Sequence, residues 1–345
     1  MAITIYDIAE KAGVSIATVS RVFNDSSSVS KRTRDRVLSI ADEMGYHPQA
    51  HAQGLASRKS NMIMALVPVM SNYFFIEILS GIQDKLAALD YDLNIYNVTP
   101  APKIADQVEK VLRRRSAEGY LLISTHLTEE DWEGLKRYQL PVTLVDDYSP
   151  YFDSVSVDNK QGAYRAVKHL LSRGLQRVGI LTADPNSMPV DHRMEGYKRA
   201  LKECGIPFSK ELVFEGDTPY RDGFSERSGY EAMIKVLTSD VDPEACFCTS
   251  DIQAVGALKA MQDTKKFIPL VGYDDIEFAE YLGLSTVKQP MRDMGYYATQ
   301  VLIDRIENPK RAVSTTIYTP DLVLRSSTEN LHSIQSSTVK DENIL

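Results

Sequence analysis

The chain has 345 residues and a formal net charge of −8. The charge is uneven, since residues 1–60 hold 8 basic against 6 acidic side chains and the remainder 31 against 41, so the acidic bulk is excluded as a nucleic-acid surface. No apolar run reaches the ~20 residues of a membrane span, and no signal peptide is recognisable. The three cysteines fit a reducing compartment. Together these features predict a cytoplasmic protein with no membrane partner.

Residues 4–24 have the pattern of a helix-turn-helix. Thr4 and Asp7 have capping-box spacing at the start of a first helix. Gly13 suits the left-handed turn after it, and Val19 is placed to pack beneath a second helix. A small three-helix packing unit without a nucleic-acid role is the alternative interpretation.

The second helix is the predicted DNA-reading element, and Ser15 is placed to cap it. Its outward face carries Ile16, Ala17, Thr18, Ser20 and Arg21. Arg21 has the forked donor for a guanine edge or a phosphate, whereas Ile16 and Ala17 offer only apolar contact, for instance to a thymine methyl. The two hydroxyl side chains of this face are expected to hold the DNA backbone.

A third helix is predicted from its cap, Ser30, to Met44, with Gly45 as its stop. Its core positions, at helical spacing, are Val37, Ile40, Ala41 and Met44. Its exposed start carries Lys31, Arg32, Arg34 and Arg36. These basic side chains either contact phosphates or form a solvated face, and both interpretations stay open.

Short motifs along residues 4–60 match the signature of one family. They are Tyr6-Asp7-Ile8-Ala9, Gly13-Val14-Ser15, Thr18-Val19-Ser20-Arg21-Val22, Val29-Ser30, Thr33-Arg34 and Gly45-Tyr46. On these motifs the segment resembles the DNA-binding headpiece of the lactose-repressor/galactose-repressor (LacI/GalR) family, which implies a double-stranded DNA operator as partner. The predicted DNA contacts are Thr4, Tyr6, Ser15, Ile16, Ala17, Thr18, Ser20, Arg21, Asn24, Ser30, Tyr46, Ala52 and Leu55.

Residues 48–60 resemble the segment that in this family folds on the operator as a short hinge helix, two of which lie side by side in the minor groove. Leu55 aligns with the leucine that wedges into the central base step, which unstacks and kinks the duplex. Gly54 departs from the pattern and costs a helix interior up to ~1 kcal/mol relative to alanine. We therefore expect a polar linker that becomes helical only with DNA and the partner hinge.

From residue 61 strands and helices alternate, which favours parallel sheets with crossover helices. The predicted strands are 62–67, 91–96, 119–123, 141–145, 154–157, 176–182, 211–215, 244–248, 268–272 and 284–288. The predicted helices are 74–89, 103–115, 129–137, 160–173, 190–204, 225–238, 251–262 and 291–307. The last strand and helix, with a final pair at 314–324, are expected to return to the first half.

This alternating part resembles the effector domain of the same family. The predicted fold is an all-α helix-turn-helix headpiece plus an α/β periplasmic-binding-protein-like effector domain of two parallel-sheet subdomains. The expected divisions are a headpiece (1–47), a hinge (48–60), an effector-binding and dimerisation domain (61–327, with lobes 61–157 plus 289–318 and 158–287) and a polar tail (328–345). The tail lacks heptads, so a homodimer is expected rather than a coiled-coil tetramer.

The cleft between the carboxyl ends of two such sheets is the default ligand site. Family motifs transfer to it through His192-Arg193-Met194-Glu195-Gly196-Tyr197 and Val271-Gly272-Tyr273-Asp274-Asp275. The resemblance implies that Arg193 and Asp274 clamp adjacent hydroxyls of a sugar, or a base edge; a structural ion pair is the alternative. Asp146 matches a cleft aspartate of the other lobe, and Ser250 replaces a family asparagine.

The remaining predicted effector residues are in loops. Ser71, Tyr73 and Phe74 follow the first strand, and Tyr73, which replaces a common family proline, would narrow or floor the pocket. Counting back from Ser228-Gly229-Tyr230 places a stacking aromatic at Phe224, with Tyr220 as a rival because of an apparent insertion.

The sequence thus favours a transcriptional regulator, expected to be a repressor, that is switched by a small-molecule effector such as a sugar or sugar derivative. Control by a protein corepressor of the phosphocarrier type is the alternative. An enzyme is not expected, nor a cofactor or metal, because histidines are scattered singly and no nucleophile–base set occurs. Cys246 and Cys248 are interpreted as structural residues on opposite faces of one strand.

Overall fold

The computed structural model describes residues 3–23, 28–46, 61–68, 72–99, 103–184, 187–216 and 223–329. It begins with three helices, α1 (Ile5–Ala12), α2 (Ile16–Phe23) and α3 (Lys31–Met44). The carboxylate of Asp7 accepts hydrogen bonds of 2.7 Å from both the N–H and the hydroxyl of Thr4, which defines the start of α1. Gly13 ends α1 at φ +62°, a conformation that favours glycine.

The three helices share one small core. Its buried side chains are Ile8, Ala9, Ala12, Val19, Val22, Val37 and Ala41. Ile40 and Met44, also expected in this core, are only partly buried at its edge. The helix-turn-helix predicted from the sequence is therefore present, with α2 packed against α1 and α3 through its valines.

The first α/β lobe is a six-stranded parallel sheet with helices on both faces. Its strands are β1 (Met62–Val67), β2 (Asp92–Asn97), β3 (Gly119–Ile123), β4 (Val142–Val145), β5 (Asp153–Val157) and β11 (Thr315–Tyr318), in the order β11-β5-β4-β3-β1-β2. Its helices are α4 (Tyr73–Leu86), α5 (Ile104–Arg114), α6 (Glu129–Lys136) and α12 (Met291–Glu307). Apolar strand residues are buried on both faces, as is usual for parallel sheets.

The second lobe repeats this plan. Its strands are β6 (Val178–Thr182), β7 (Val213–Glu215), β8 (Ala245–Cys248), β9 (Leu270–Asp274), β10 (Ser285–Lys288) and β12 (Asp321–Val323), in the order β12-β10-β9-β8-β6-β7. Its helices are α7 (Asn159–Ser172), α8 (Met188–Glu203), α9 (Glu226–Leu237), α10 (Asp251–Thr264), α11 (Glu277–Tyr281) and α13 (Ser326–Glu329). Only β12 runs antiparallel to its neighbour among these strands.

The end of the chain divides between the lobes. Helix α12 returns to the first lobe as predicted, but β10 stays in the second sheet beside β9. β11 pairs with β5, whereas β12 pairs with β10. The expectation that all these elements return to the first half was wrong, because each final strand pairs with the free edge of a different sheet.

Helix α12 packs closely on α4 through two glycines. A Cβ on Gly81 would lie 1.9 Å from the carbonyl oxygen of Arg292, and one on Gly295 would lie 2.0 Å from that of Ile78. Larger residues would force the helices apart. This contact anchors the returning segment, and with it the crossing between the lobes, to the first sheet.

Cys246 and Cys248 both have buried free thiols in one apolar cluster with side chains of α9 and α10. The expectation of opposite faces was wrong, because residues two apart on a strand share a face. Within the described part of the chain, no group of three or more His, Cys, Asp or Glu side chains is arranged to hold a metal ion. None of the described helices combines the length and apolarity of a membrane span.

Candidate functional site

Two aspartates occupy equivalent positions in the two lobes. β4 and β9 are the matching third strands of their sheets; Asp146 directly follows β4, and Asp274 ends β9. Both have positive φ, +55° for Asp146 and +127° for Asp274. Such backbone strain costs on the order of 1–3 kcal/mol and clusters at functional sites. The two carboxylates therefore mark the carboxyl-end face of each sheet.

Arg193, on α8, is buried and held from several directions. Its Nε donates to Oδ1 of Asn159 at 2.9 Å, and its Nη1 donates to the carbonyl of Thr249. The guanidinium lies 3.8 Å from the ring centre of Tyr273, a cation–π contact. Its Nη2 is 3.9 Å from Oδ1 of Asp274, which is an ion pair beyond hydrogen-bond distance. The guanidinium is thus fixed in place through its Nε and Nη1.

Asp274 is tied to the segment that crosses between the lobes. Nε2 of Gln289 donates to its Oδ1 at 2.7 Å, and the N–H of Gln289 donates to its carbonyl at 3.2 Å. Gln289 is 2% exposed, and its Oε1 has no hydrogen-bond partner among the residues that the structure describes. A buried acceptor without a partner is costly. Asp274 and Gln289 are therefore suited to a binding site in which a ligand donates a hydrogen bond to Oε1 of Gln289.

A further carboxylate, Asp251, lies deeper in the second lobe and is fully buried. Its Oδ1 accepts from the hydroxyl of Thr286 at 2.6 Å, and its Oδ2 accepts from the N–H of Ile276 at 3.0 Å. Burial and repulsion from Asp274 raise the pKa of Asp251. Burial also raises the pKa of Asp274, against the opposing effect of Arg193.

Asp146 faces this cluster from the first lobe. It is 5% exposed and accepts from the hydroxyl of Ser124 at 2.7 Å. Burial raises the pKa of Asp146, and the charges of His126 and Arg193 oppose that rise. Because Arg193 belongs to the second lobe, its interaction with Asp146 spans the cleft. Arg193 and Asp274 are therefore brought together as an ion pair, and Asp146 lies near enough for the charge of Arg193 to act on it.

Tyr73 and Phe278 form a direct contact between the lobes. Their ring centres are 5.2 Å apart at an interplanar angle of 88°. Tyr73 begins α4 after β1, and Phe278 is in α11 after β9, so both rings lie at the carboxyl-end faces of the sheets. Phe278 is 43% exposed, whereas Arg193, Asp146 and Asp274 are buried, so this aromatic contact is more accessible to solvent than the charged groups.

The loop after β1 differs in part from expectation. Tyr73 and Phe74 are the first residues of α4 rather than loop residues, and Asn72 caps that helix. Phe74 is buried in the first-lobe core, where its ring meets Phe75 edge to face at 5.3 Å. Core packing is therefore its observed role. Ser71 lies outside the described residues.

Among the described residues, no side-chain hydrogen bond or ion pair joins Ser250 or Phe224 to Asp146, Arg193 or Asp274. The hydroxyl of Ser250 caps α10 by accepting from the N–H of Gln253 at 3.3 Å. Phe224 is partly buried directly before Ser225, the cap of α9. Tyr220 falls outside the described residues. Roles for these side chains in ligand binding stay predictions.

Three polar residues of the cluster were missed from the sequence. Asn159 and Thr249 position Arg193, and Gln289 holds Asp274. Each follows within two residues of the end of a buried strand, β5, β8 or β10. The rule that ligand sites lie at the carboxyl ends of parallel strands could have found them.

Helix α2 presents most of the predicted DNA-reading side chains on its outer face. Ile16 is 41% exposed, and Ala17 and Arg21 are exposed, whereas Val19 and Val22 are buried. The half-buried positions of this face are Thr18 and Ser20. An exposed arginine beside small and apolar side chains on one helix face is suited to the major groove.

Several other predicted DNA contacts support the helices themselves. Ser15 caps α2, since its Oγ accepts from the N–H of Thr18 at 3.1 Å. Ser30 caps α3 in the same way. Tyr46 packs on Phe23, with ring centres 5.7 Å apart.

The remaining predicted DNA contacts divide between exposed positions and undescribed ones. Tyr6 is 66% exposed, and Thr4 is exposed at the start of α1. Asn24, Ala52 and Leu55 lie outside the described residues, so their contacts stay predictions.

Comparisons with known proteins agree with this layout. Residues 4–49 match the model of bacterial regulatory proteins of the lacI family, and residues 167–328 match the periplasmic binding protein-like domain. The chain is 33% identical to the ribose operon repressor of Haemophilus influenzae over 95% of its own length and 99% of that protein. It is also similar to the lac repressor dimer bound to operator and the anti-inducer ONPF (27% identity, TM-score 0.81, covering 95% of this chain and 99% of that one). A third match is the transcriptional regulator CelR–cellobiose complex (25% identity, TM-score 0.69, covering 94% and 99%).

Proposed function

The chain belongs to the lacI family of bacterial regulatory proteins, and from that membership we propose that it is a repressor whose operator affinity is switched by a small molecule bound between its two lobes. Family membership makes it a DNA-binding transcriptional regulator. The effector and the switch are the proposed part. We assign the protein a regulatory role in the cytoplasm, not an enzymatic one.

The observation that carries this proposal is the cluster of Asp146, Arg193 and Asp274. Arg193 and Asp274 belong to the second lobe and Asp146 to the first, so a ligand held by all three would join the lobes. Forked donors and carboxylate acceptors suit the paired hydroxyls of a sugar. The structural similarity to CelR in complex with cellobiose supports a sugar or sugar derivative as effector.

The proposed DNA-bound state is a homodimer. Support comes from the likeness to the lac repressor dimer on its operator. Two headpieces would place α2 of each chain in successive major grooves of a pseudo-palindromic site. Leu55 of each chain would then open a flexible step at the centre of that site.

The proposed switch is a change in the angle between the lobes. The hinge joins the first lobe just before β1, so rotation of that lobe changes the spacing of two hinges in a dimer. A ligand can shift this equilibrium only by the difference between its affinities for the two arrangements. A ligand that contacts both lobes would have different affinities for the two arrangements, because its contacts depend on the angle between the lobes.

Two measurements test the proposal. Footprinting on genomic fragments should show a site of ~14–20 base pairs with two-fold symmetry. A thermal-shift screen of sugars should then identify an effector that changes operator affinity by about 5–150-fold, and Asp274→Ala should remove that change. Asp263→Asn, an equal charge change on the exposed face of α10, is the matched control.

Two results would contradict the proposal. A protected site without two-fold symmetry would exclude the paired headpieces. Operator affinity that is unchanged by sugars but is increased by a phosphorylated carrier protein would favour the alternative, in which a protein controls the regulator instead of a small molecule.

A further inference from the structure

The chain enters the first lobe at Asn61, directly after the hinge (48–60) and before β1. Its N–H donates to Oε1 of Glu118 at 2.8 Å, and its side-chain Nδ2 donates to Oδ2 of Asp90 at 3.0 Å. Its carbonyl accepts from the N–H of Asp92 at 2.7 Å. These partners begin or precede β2 and β3, the two neighbours of β1 in the sheet. The entry point of the chain is therefore held from both sides.

The backbone of Asn61 is in the left-handed region, at φ +44°. Asparagine is among the few residues other than glycine that adopt this conformation readily, and the conformation persists where neighbouring groups hold it. The φ angle of Asn61 sets the direction in which the preceding residues leave β1. Hydrogen bonds on its N–H, carbonyl and side chain fix that direction relative to the first sheet.

Glu118 connects Asn61 to the two neighbouring strands. While its Oε1 accepts from Asn61, its Oε2 accepts from the hydroxyl of Tyr91 at 3.3 Å, and its N–H donates to the carbonyl of Met62 at 2.8 Å. Burial and the charge of Glu118 raise the pKa of the Tyr91 hydroxyl. Hydrogen bonds to an ionised carboxylate are about twice as strong as neutral ones. We call Asn61, Asp90, Tyr91 and Glu118 the hinge anchor.

A joint that pivoted freely at this point would separate the hinge from the lobe. It would absorb a rotation of the lobe before the rotation reached residues 48–60, and operator binding would have to order it at a cost in conformational entropy. A joint fixed in advance avoids that cost, as other preorganised binding elements do. The hinge anchor supplies this fixation through contacts that lie within one lobe and do not depend on the angle between the lobes.

We infer that Glu118 is a positioning residue for operator binding: by fixing Asn61 it makes the first lobe and the start of the hinge move as one body. The inference rests on the proposed switch and adds to it the residue through which lobe movement reaches the hinge. Glu118 acts through Asn61 and needs no contact with DNA or effector. Removing its carboxylate therefore loosens the hinge without removing a DNA-contacting group.

Two substitutions at Glu118 that remove the same charge separate this role from electrostatics. The probe is a duplex selected by the wild-type, full-length protein from random-sequence DNA. Glu118→Ala should weaken binding to this duplex by about 10–100-fold, because each chain of the proposed dimer must then order a free joint. Glu118→Gln keeps an oxygen that accepts from Asn61 and should bind within about threefold of wild type. Loss of negative charge by itself would tighten DNA binding in both variants.

Three further measurements exclude a general loss of structure. Glu133→Ala, which removes an exposed carboxylate of α6 in the same lobe, should bind the selected duplex as the wild type does. Binding of Glu118→Ala to an unselected duplex should be unchanged, since the headpiece contacts are intact. Hydrogen exchange followed by mass spectrometry should show the Asn61 N–H of Glu118→Ala exchanging at least about tenfold faster, while the melting temperature falls by no more than about 5 °C.

Results that contradict the role of the hinge anchor differ from those that contradict the switch. Wild-type affinity of Glu118→Ala for the selected duplex, or an equal loss in Glu118→Gln, would overturn the role of Glu118 and leave the regulator and its effector in place. Equal losses on selected and unselected duplexes would do so as well. If no small molecule changes the operator affinity of the wild type, the proposed switch fails, whereas the positioning role still stands or falls on the comparison of the two Glu118 variants.

Discussion

Nη2 of Arg193 lies 3.9 Å from Oδ1 of Asp274, too far for a hydrogen bond but within reach of an ion pair. The protein holds the two groups separately, Arg193 through Asn159 and Thr249 and Asp274 through Gln289. Because other residues orient the two groups and no hydrogen bond joins them directly, both can still form hydrogen bonds to a ligand. That arrangement favours a ligand clamp over the alternative of a purely structural ion pair.

We expect Arg193→Lys to lower the free energy of unfolding by about 1–3 kcal/mol, because an ammonium cannot reproduce the forked donor geometry and leaves buried acceptors unpaired. Urea unfolding measures the effect. Arg199→Lys is the control on the same helix, since its partner Glu203 is exposed, and it should change stability by no more than about 0.5 kcal/mol. Equal losses for the two variants would show that Arg193 is not held as described.

The contact between Tyr73 and Phe278 predicts a coupling between the lobes. Edge-to-face rings contribute about 0.5–1.5 kcal/mol beyond burial, and here one ring comes from each lobe. Phe278→Ala should therefore favour open lobes and weaken effector binding by about 2–10-fold. Phe267→Ala, which removes a ring that is 53% exposed at the opposite end of the second sheet, is the control.

A double-mutant cycle with Tyr73→Ala and Phe278→Ala isolates that contact. The coupling energy for effector binding should be about 0.5–1.5 kcal/mol. Strictly additive effects would mean that the two rings act on the ligand independently.

The buried carboxylates predict a stability that falls as pH rises. Burial and repulsion from Asp274 raise the pKa of Asp251 to about 8, so the folded protein binds this proton more tightly than the unfolded chain does. The resulting stabilisation is complete below the ordinary carboxyl pKa and is lost as pH rises from about 4 through the raised value.

Asp251→Asn should remove this loss, because its amide can still accept from the N–H of Ile276 and donate to the hydroxyl of Thr286. As the pH is raised from about 5 to about 8.5, the melting temperature of the variant minus that of the wild type should increase by about 2–6 °C. Differential scanning calorimetry at several pH values measures it. A difference independent of pH would place the ionisation elsewhere.

Arg21 predicts a specific loss of base discrimination. If it contacts a guanine edge, Arg21→Ala should cost about 1–3 kcal/mol of operator binding and relax the preference at one base pair in each half-site. A substitution scan of the operator measures this. Arg32→Ala, at the exposed start of α3, should weaken all sequences alike, and the same uniform loss for Arg21→Ala would make it a phosphate contact.

The sequence by itself determined those features that depend on residues close in the chain. The caps at Thr4–Asp7 and Ser15, the glycine turn at Gly13 and the periodicity of α2 are local, and so is the alternation of strands and helices after residue 61. The family motifs likewise pointed to Asp146, Arg193 and Asp274.

Only the tertiary structure decided which distant residues meet. The split of the final strands between two sheets depends on which edges are free, and local pattern does not encode this. Asn159 and Thr249 position Arg193 although they lie in other parts of the chain. Tyr73 and Phe278 likewise meet from different lobes, and Phe74 is buried by the packing of several elements. Such contacts arise from the packing of the two lobes, where burial and geometry determine whether a side chain supports the core or faces the cleft.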